Sequence, residues 1–430
     1  MLGLMRGAGR AEKFGAILFA ILMVYYGGLY FLWSINWNVY DFWMKLIGVP
    51  AWRSPFLDIV AVLSWGDCHH AGFNVLQLNP CDPLNRPLGY SPVLLDLPIH
   101  WLGVRNATPV GLTIDFVFLA MFSYVLRPQS RRAFVIALFA GLSPAVAFLL
   151  ERANLDVFDF TLIAAAALFA TGGPVRRLVS YFVYFAVGLL KYYPLVLLGL
   201  MVRERPRVAL VCGCVFGAAL IVLLAHYWST MTQVILPQTR YFGDMFGGVL
   251  LPFGVARFFG LSHSFGAAFF VILLVVMALA TVRFTGRLES ELSAADWDQP
   301  SFLLLVVGSA LTVGCFLAGT NVGYRASVLL FVIPGLLELQ TRTRDRGAHL
   351  VYWCAIDAVL LCLWRQFIER GLINAGFVHT NSFSGLIFLV VRETVWWGLV
   401  DVLASFVILY VLHSPFWRAL TARRAASGAS

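Results

Sequence analysis

From Phe14 to Trp33 the chain runs for 20 residues without a charged side chain. A helix of about 20 residues spans the roughly 30 Å hydrocarbon core of a bilayer, so this one stretch decides the environment. It is too long for a signal-peptide core and lacks a clear small-residue cleavage site, so it reads as a retained first helix. Comparable apolar runs recur at about 108–126, 133–150, 157–171, 207–226, 264–282, 301–318, 324–340, 349–367 and 393–413. Hydrophobic residues make up 60% of the chain and charged residues 12%. Soluble domains hold about 45–50% and about 25%. That surplus of apolar surface excludes a soluble enzyme, a disordered chain, a disulfide-rich module and a one-pass receptor. The apolar stretches are continuous rather than alternating, which argues against a β-barrel. The expectation is an all-α polytopic membrane protein with about ten transmembrane helices. They form one integral membrane domain over 1–430, with no internal repeat and no soluble domain.

Charge position sets the expected topology. Seven short segments hold 19 of the 31 basic residues: Arg6/Arg10/Lys13, Arg127/Arg131/Arg132, Arg176/Arg177, Arg203/Arg205/Arg207, Arg283/Arg287, Arg342/Arg344/Arg346 and Arg418/Arg423/Arg424. Cytoplasmic loops collect Lys and Arg. Placing all seven inside puts both termini in the cytoplasm of a multi-pass plasma (inner) membrane protein. Residues 34–107 become the first outer loop and 414–430 a cytoplasmic tail. The net charge of +9 then reports orientation and implies no nucleic-acid partner. Two apolar segments would break this parity as simple crossings. Leu178–Val202 has basic clusters at both ends and Lys191-Tyr192-Tyr193-Pro194 at its centre. It reads as a broken helical hairpin over 178–202 with Lys191 at its tip, because broken backbone at membrane depth is tolerated only where it lines a cavity. Leu88–Gly103, punctuated by Pro92, Asp96, Pro98 and His100, reads as an interfacial or re-entrant element.

The mixed polar residues fall on the outer side. The first outer loop carries Asp41, Asp58, Asp67, Asp82 and Arg86, and later outer turns carry Glu151-Arg152-Ala153-Asn154-Leu155-Asp156, Gln238/Arg240/Tyr241/Asp244 and Thr320-Asn321-Val322-Gly323-Tyr324-Arg325. For any one of these a structural ion pair, such as Glu151 with Arg152 or Arg325, is the simpler reading. The whole set on one face, together with Lys191, points to an outward polar site. Carboxylates serve as general bases, and Arg and Lys hold phosphate oxygens. No GxxxxGK[ST] loop, GxGxxG turn or GxSxG elbow occurs, and His69-His70 has neither HExxH spacing nor a nearby CxxC. Cys68 and Cys81 share the first outer loop and suit a disulfide if that loop faces an oxidising compartment.

These motifs occur in an order that resembles a known family. Phe56-Leu57-Asp58 is followed by Asn79-Pro80-Cys81-Asp82-Pro83, Arg86-Pro87 and Tyr90-Ser91-Pro92. Then come Glu151 to Asp156, Leu190 to Pro194, and Asn321 to Arg325. The series resembles GT-C-type integral membrane glycosyltransferases and is most similar to the family 87 enzymes that use polyprenol-phosphate sugars. Two departures stand out: Ser91 where a second turn proline is expected, and Gly323 where an Asp is common. The resemblance implies a GT-C fold and transfer of a sugar from a polyprenyl-phosphate donor to a glycan or lipid acceptor on the outer face. It implies Asp58 as general base, with Asp67 and Asp41 as alternates. It implies Lys191, Arg325, Arg152 and Arg240 on the donor phosphate, and Asn154, Tyr324, Asn321 and Tyr90 orienting substrate. No cofactor is implied, and a divalent metal at Asp58 and Asp67 stays open. The competing reading is a polyprenyl-lipid flippase or solute transporter. Transporters often carry paired broken helices, and no second broken segment matches the one at Lys191.

Overall fold

The computed structural model describes residues 2–97, 101–235, 245–292, 295–379 and 382–427. The described chain is almost wholly helical. In chain order the helices begin with α1 (Leu2–Ile35), α2 (Trp37–Leu46), α3 (Leu57–His70), α4 (Val93–Asp96), α5 (Ala107–Leu126), α6 (Arg131–Gly141) and α7 (Pro144–Arg152). There follow α8 (Leu155–Ala170), α9 (Pro174–Lys191), α10 (Pro206–Ile235), α11 (Leu250–Phe258) and α12 (His263–Leu292). The last are α13 (Pro300–Ala318), α14 (Val332–Arg342), α15 (Arg346–Asn374), α16 (Phe383–Leu412) and α17 (Pro415–Ser427). Proline opens α7, α9, α10, α13 and α17, at the position where its missing N–H leaves no hydrogen bond unmade. Ser130, Ser143, Asn154, Asp345 and Ser382 cap the helices that follow them through their side-chain oxygens.

Among the described residues, seven helical segments are long and apolar enough to cross a membrane: 11–35, 104–126, 206–232, 263–292, 300–318, 346–374 and 383–412. The run expected as one span at 133–150 is instead two helices, α6 and α7, bent by 48°. The break falls at Ser143-Pro144, where proline cannot donate to the preceding turn and Ser143 recaps the chain through Val146 N. Taken as one span, the pair makes an eighth. The run at 157–171 forms α8, which has 16 residues. The run at 324–340 begins as a 3-10 helix, Gly323–Phe331, and continues as α14.

Exposure divides the spans. The apolar window of α10 buries nothing inside the protein, whereas 72% of the α13 window is buried. A helix that is apolar all round and packs against protein along one side only, as α10 does through Phe216 on Phe185 (5.1 Å), turns the rest of its surface to lipid. α13 therefore forms the centre and α10 the periphery. Near the centre Phe160 of α8 stacks on Phe331 with ring centroids 4.3 Å apart.

The segment after α9 doubles back. A 3-10 helix, Tyr193–Arg203, lies against α9. Tyr181 donates its hydroxyl to Leu200 O (3.4 Å), and Arg177 Nη2 donates to Glu204 Oε2 (3.1 Å). Lys191 stands at the turn of this hairpin, and Tyr192 takes the left-handed backbone needed to reverse the chain (φ 61°). Arg177, Arg203 and Arg418 line one cavity far from that turn, and Arg127, Arg132 and Arg342 line another.

The loop between α2 and α5 builds its own small core. Ile59, Val60, Leu63 and Trp65 of α3 pack with Leu88 and Leu94 over Ala153 and Leu155. Cys68 and Cys81 are disulfide-bonded within it, with Cα atoms 5.7 Å apart. A short antiparallel pair, β1 (Met245–Phe246) with β2 (Asn321–Val322), joins the second half of the chain to the same end of the molecule. Its close backbone approach needs glycine. A Cβ on Gly247 would lie 2.1 Å from Gly319 O.

Candidate functional site

The start of α3 is held under strain. Phe56 has φ 56°, a left-handed conformation that costs a bulky residue roughly 1–3 kcal/mol. Its N–H donates to Glu151 O (3.1 Å), and its ring stacks on Tyr30 (5.8 Å). A Cβ on Gly111 would come within 2.5 Å of the Phe56 ring, so α5 approaches that closely only because residue 111 is glycine. This geometry places Asp58, in the first turn of α3, against the α7–α8 turn.

Asp58 is gripped on both oxygens. Oδ1 accepts from Arg86 Nη1 (3.0 Å), with Arg152 Nη1 3.8 Å away, and Oδ2 accepts from Asn154 Nδ2 (2.6 Å). Arg86 is itself clamped by Asp82, Nε to Oδ2 at 2.9 Å and Nη2 to Oδ1 at 2.8 Å. Burial alone would raise the Asp82 carboxyl. Hydrogen bonds from the Arg86 side chain and backbone, and its charge, outweigh burial and hold Asp82 below its usual value.

Asn154 is the hinge of the cluster. It caps α8, and Oδ1 accepts from both Asp156 N (3.0 Å) and the Lys191 ammonium. Those two donors fix the amide orientation and turn Nδ2 toward Asp58, the Tyr90 hydroxyl (2.8 Å) and the Tyr324 hydroxyl (3.0 Å). An amide nitrogen carries two hydrogens, so these three oxygens share two donors. Burial, then the nearby Tyr324 and acidic groups, push the Tyr90 phenol well above its usual value. It therefore stays protonated and can donate in turn.

Around Asp156 the cations converge. Lys191 Nζ lies 2.7 Å from Asp156 Oδ1, and each side chain is only 2% exposed. Tyr193 donates its hydroxyl to the same oxygen (3.1 Å). Arg325 Nε reaches Oδ2 at 3.4 Å, and its Nη1 donates to Asn321 Oδ1 (2.7 Å). Aromatic faces complete the shell. Lys191 Nζ stands 4.6 Å from the Tyr90 ring centre and the Arg325 guanidinium 4.9 Å from that of Tyr193.

One connected network thus holds Asp58, Arg152, Asn154, Lys191, Asn321, Tyr324, Arg325 and Tyr90. Asp41 is elsewhere, paired with Lys45 one turn along α2 (2.6 Å). Asp67 accepts from Val104 N (2.9 Å) and anchors the chain entering α5. Arg240 lies outside the described residues. The sequence reading gave no role to Asp82, Arg86, Asp156 or Tyr193, which belong to the same network. All four sit inside the motifs quoted above, and the i,i+4 spacing of Asp82 and Arg86 is the visible signal for their pair.

A second buried charged group lies within the helices. Arg365 donates to Met245 O (3.3 Å), and Arg392 Nη2 lies 2.7 Å from Glu393 Oε1. Phe246 stacks on Trp396 (4.2 Å). These contacts support β1, and through β2 they support Asn321.

The Asp58 side chain is 13% exposed, and each of its oxygens keeps a second acceptor lone pair. Such a carboxylate can take a proton from an approaching hydroxyl. Arg86 and Arg325, with side chains 27% and 19% exposed, can meet an anion on the same network, while the ammonium of Lys191 is buried against Asp156 and Asn154. Cations rather than further oxygen ligands surround Asp58, an environment unlike that of a hard metal ion. No family model, curated protein or solved structure matches this chain.

Proposed function

We propose that this chain is a membrane glycosyltransferase of GT-C type, with about ten crossings. It moves a sugar from a polyprenyl-phosphate donor to an acceptor on the outer face of the plasma (inner) membrane. The observation that carries the reading is the single network joining Asp58, through Asn154, to Lys191, Asp156 and Arg325. Motifs spread from residue 58 to residue 325 meet there, in the combination that base-assisted displacement of a phosphate needs. Asp58 removes the acceptor's hydroxyl proton as the oxygen attacks the anomeric carbon. Lys191 and Arg325 bind the donor phosphate and neutralise the charge that grows on it as the glycosidic bond breaks. Arg86 and Asn154 orient the Asp58 carboxylate, and Tyr90 and Tyr324 fix the position of Asn154. The clustering of basic side chains in cavities far from this network supports an outward site.

The test is incubation of purified protein with a panel of radiolabelled polyprenyl-phosphate sugars and candidate acceptors. Transfer, or hydrolysis of the donor, is the expected result. Tight binding of a lipid-linked sugar with neither reaction would favour a transporter instead.

A further inference from the structure

On the far side of Arg152 from the phosphate-binding cations lies a cleft of about 130 Å³ between α1, α2, α5 and α7. Tyr26, Tyr30, Trp33 and Phe56 line it, with Asp115 and Glu151 as its only acidic or basic side chains among the described residues. Asp115 Oδ1 is buried without a hydrogen-bond partner among those residues. Glu151 Oε1 accepts from Trp52 N (3.2 Å). Arg152 separates cleft from base: its Nε lies 3.1 Å from Glu151 Oε2 and its Nη1 3.8 Å from Asp58 Oδ1. The strained Phe56, two residues before Asp58, is part of the lining.

The mouth of the cleft is at Gly27, Leu112 and Phe116, all exposed. They lie on α1 and α5, both among the membrane-crossing helices, so the opening faces lipid. Asp115 sits eight residues into α5, about 12 Å along the axis at about 1.5 Å per residue. The occupant therefore comes from the bilayer. Its head is small, since about 150 Å³ holds a single ring. Its head also bears no phosphate, because the described lining offers no cation to an anion. Carboxylates and aromatic rings suit hydroxyl groups.

Building on the transferase reading, we propose that this cleft is the acceptor site and that the acceptor is an uncharged lipid alcohol. Asp115 and Glu151 hydrogen-bond its head, and one hydroxyl passes Phe56 to reach Asp58. That hydroxyl gives its proton to Asp58, and its oxygen bonds to the anomeric carbon. The sugar–phosphate bond breaks with its electron pair on the lipid phosphate. Donor and acceptor are thus sorted by charge, cations on one side of Asp58 and acids on the other.

The experiment uses the full chain in phosphatidylcholine vesicles, with diazirine-bearing diacylglycerol and phosphatidic acid of the same chain length. Gly27 belongs to the lining and a Cβ there meets nothing within 4 Å, so Gly27→Phe adds bulk at the mouth of the cleft without a clash at Cβ, and Gly28, equally open and outside the cleft lining, supplies the control. Diacylglycerol should label the 26–33 and 112–116 segments, with labelling reduced at least about tenfold by Gly27→Phe and unchanged by Gly28→Phe. Equal labelling by phosphatidic acid, or diacylglycerol labelling that survives Gly27→Phe, overturns the proposal. Donor hydrolysis is measured alongside on unlabelled protein. The expected labelling without any donor turnover would sink the transferase reading and leave a lipid-alcohol site. Turnover without that labelling would sink the cleft assignment alone.

Discussion

Replacing Lys191 with methionine tests whether the buried cluster exists as described. The substitution keeps the length of the side chain and removes its charge. Lys191 and Asp156 are each 2% exposed and 2.7 Å apart, so removing the ammonium leaves a desolvated carboxylate. Breaking a buried pair on one side costs roughly 3–5 kcal/mol. Asp156 keeps Tyr193 at 3.1 Å and Arg325 at 3.4 Å, so the expected loss is at the low end, about 3 kcal/mol. Asp156→Asn should cost a similar amount, because it strands the lysine. The double variant removes both charges and should be about as stable as either single one, a coupling of about 3 kcal/mol. Equilibrium unfolding of the detergent-solubilised protein, followed by tryptophan fluorescence, reads these values. Activity should separate from stability: sugar transfer stays abolished in the double variant, because no lysine is left to meet the phosphate. Lys191→Met within about 0.5 kcal/mol of wild type, or strictly additive losses, would refute the buried pair.

Three smaller predictions concern the first loop. Replacing Cys68 and Cys81 with serine opens a cross-link spanning 13 residues, which should cost about 3 kcal/mol by chain entropy; hydrogen exchange over 57–90 would register it. Asp82 is held below its usual value in the folded protein. Its stabilising contribution is therefore complete above about pH 4, the unfolded value, and is lost as pH falls through the folded one. Protection of α3 should fall with acid in the wild type and be already low and less pH-dependent in Asp82→Asn. Asp41→Asn removes an exposed pair worth at most about 1 kcal/mol. Neither it nor Asp67→Asn should abolish transfer, since neither carboxylate belongs to the network.

Much of the site could be read from the order of motifs, because each polar run interrupts apolar sequence and charge parity puts those runs on one side. That order put Asp58 first and kept Asp67 and Asp41 as alternates. Three carboxylates in one loop look alike until the fold shows which one meets Asn154. That choice depends on Phe56 and Gly111, whose close packing has no signature in composition. The roles of Arg86 and Asp156 were hidden for a similar reason, since an acid and a base inside one motif do not say whether they face each other. The bend at Ser143-Pro144 was visible as a dipeptide but masked by apolar residues on both sides. The 3-10 helices Tyr193–Arg203 and Gly323–Phe331 had no counterpart in hydropathy, which reports burial and not helical pitch. Arg365 and Arg392 sat within or beside apolar runs, where a charge deserved a question that the outward motifs drew away.

The central claim is that Asp58 is the base, and the rate of sugar transfer by Asp58→Asn measures it most directly. Asparagine keeps an oxygen for Arg86 but loses the acceptor that faces Asn154 Nδ2, so folding of the variant is verified alongside the rate. Removing a general base should lower the rate by about 10²–10⁴-fold, with polyprenyl-phosphate-sugar binding retained. Transfer at the wild-type rate by a folded Asp58→Asn protein would contradict the account.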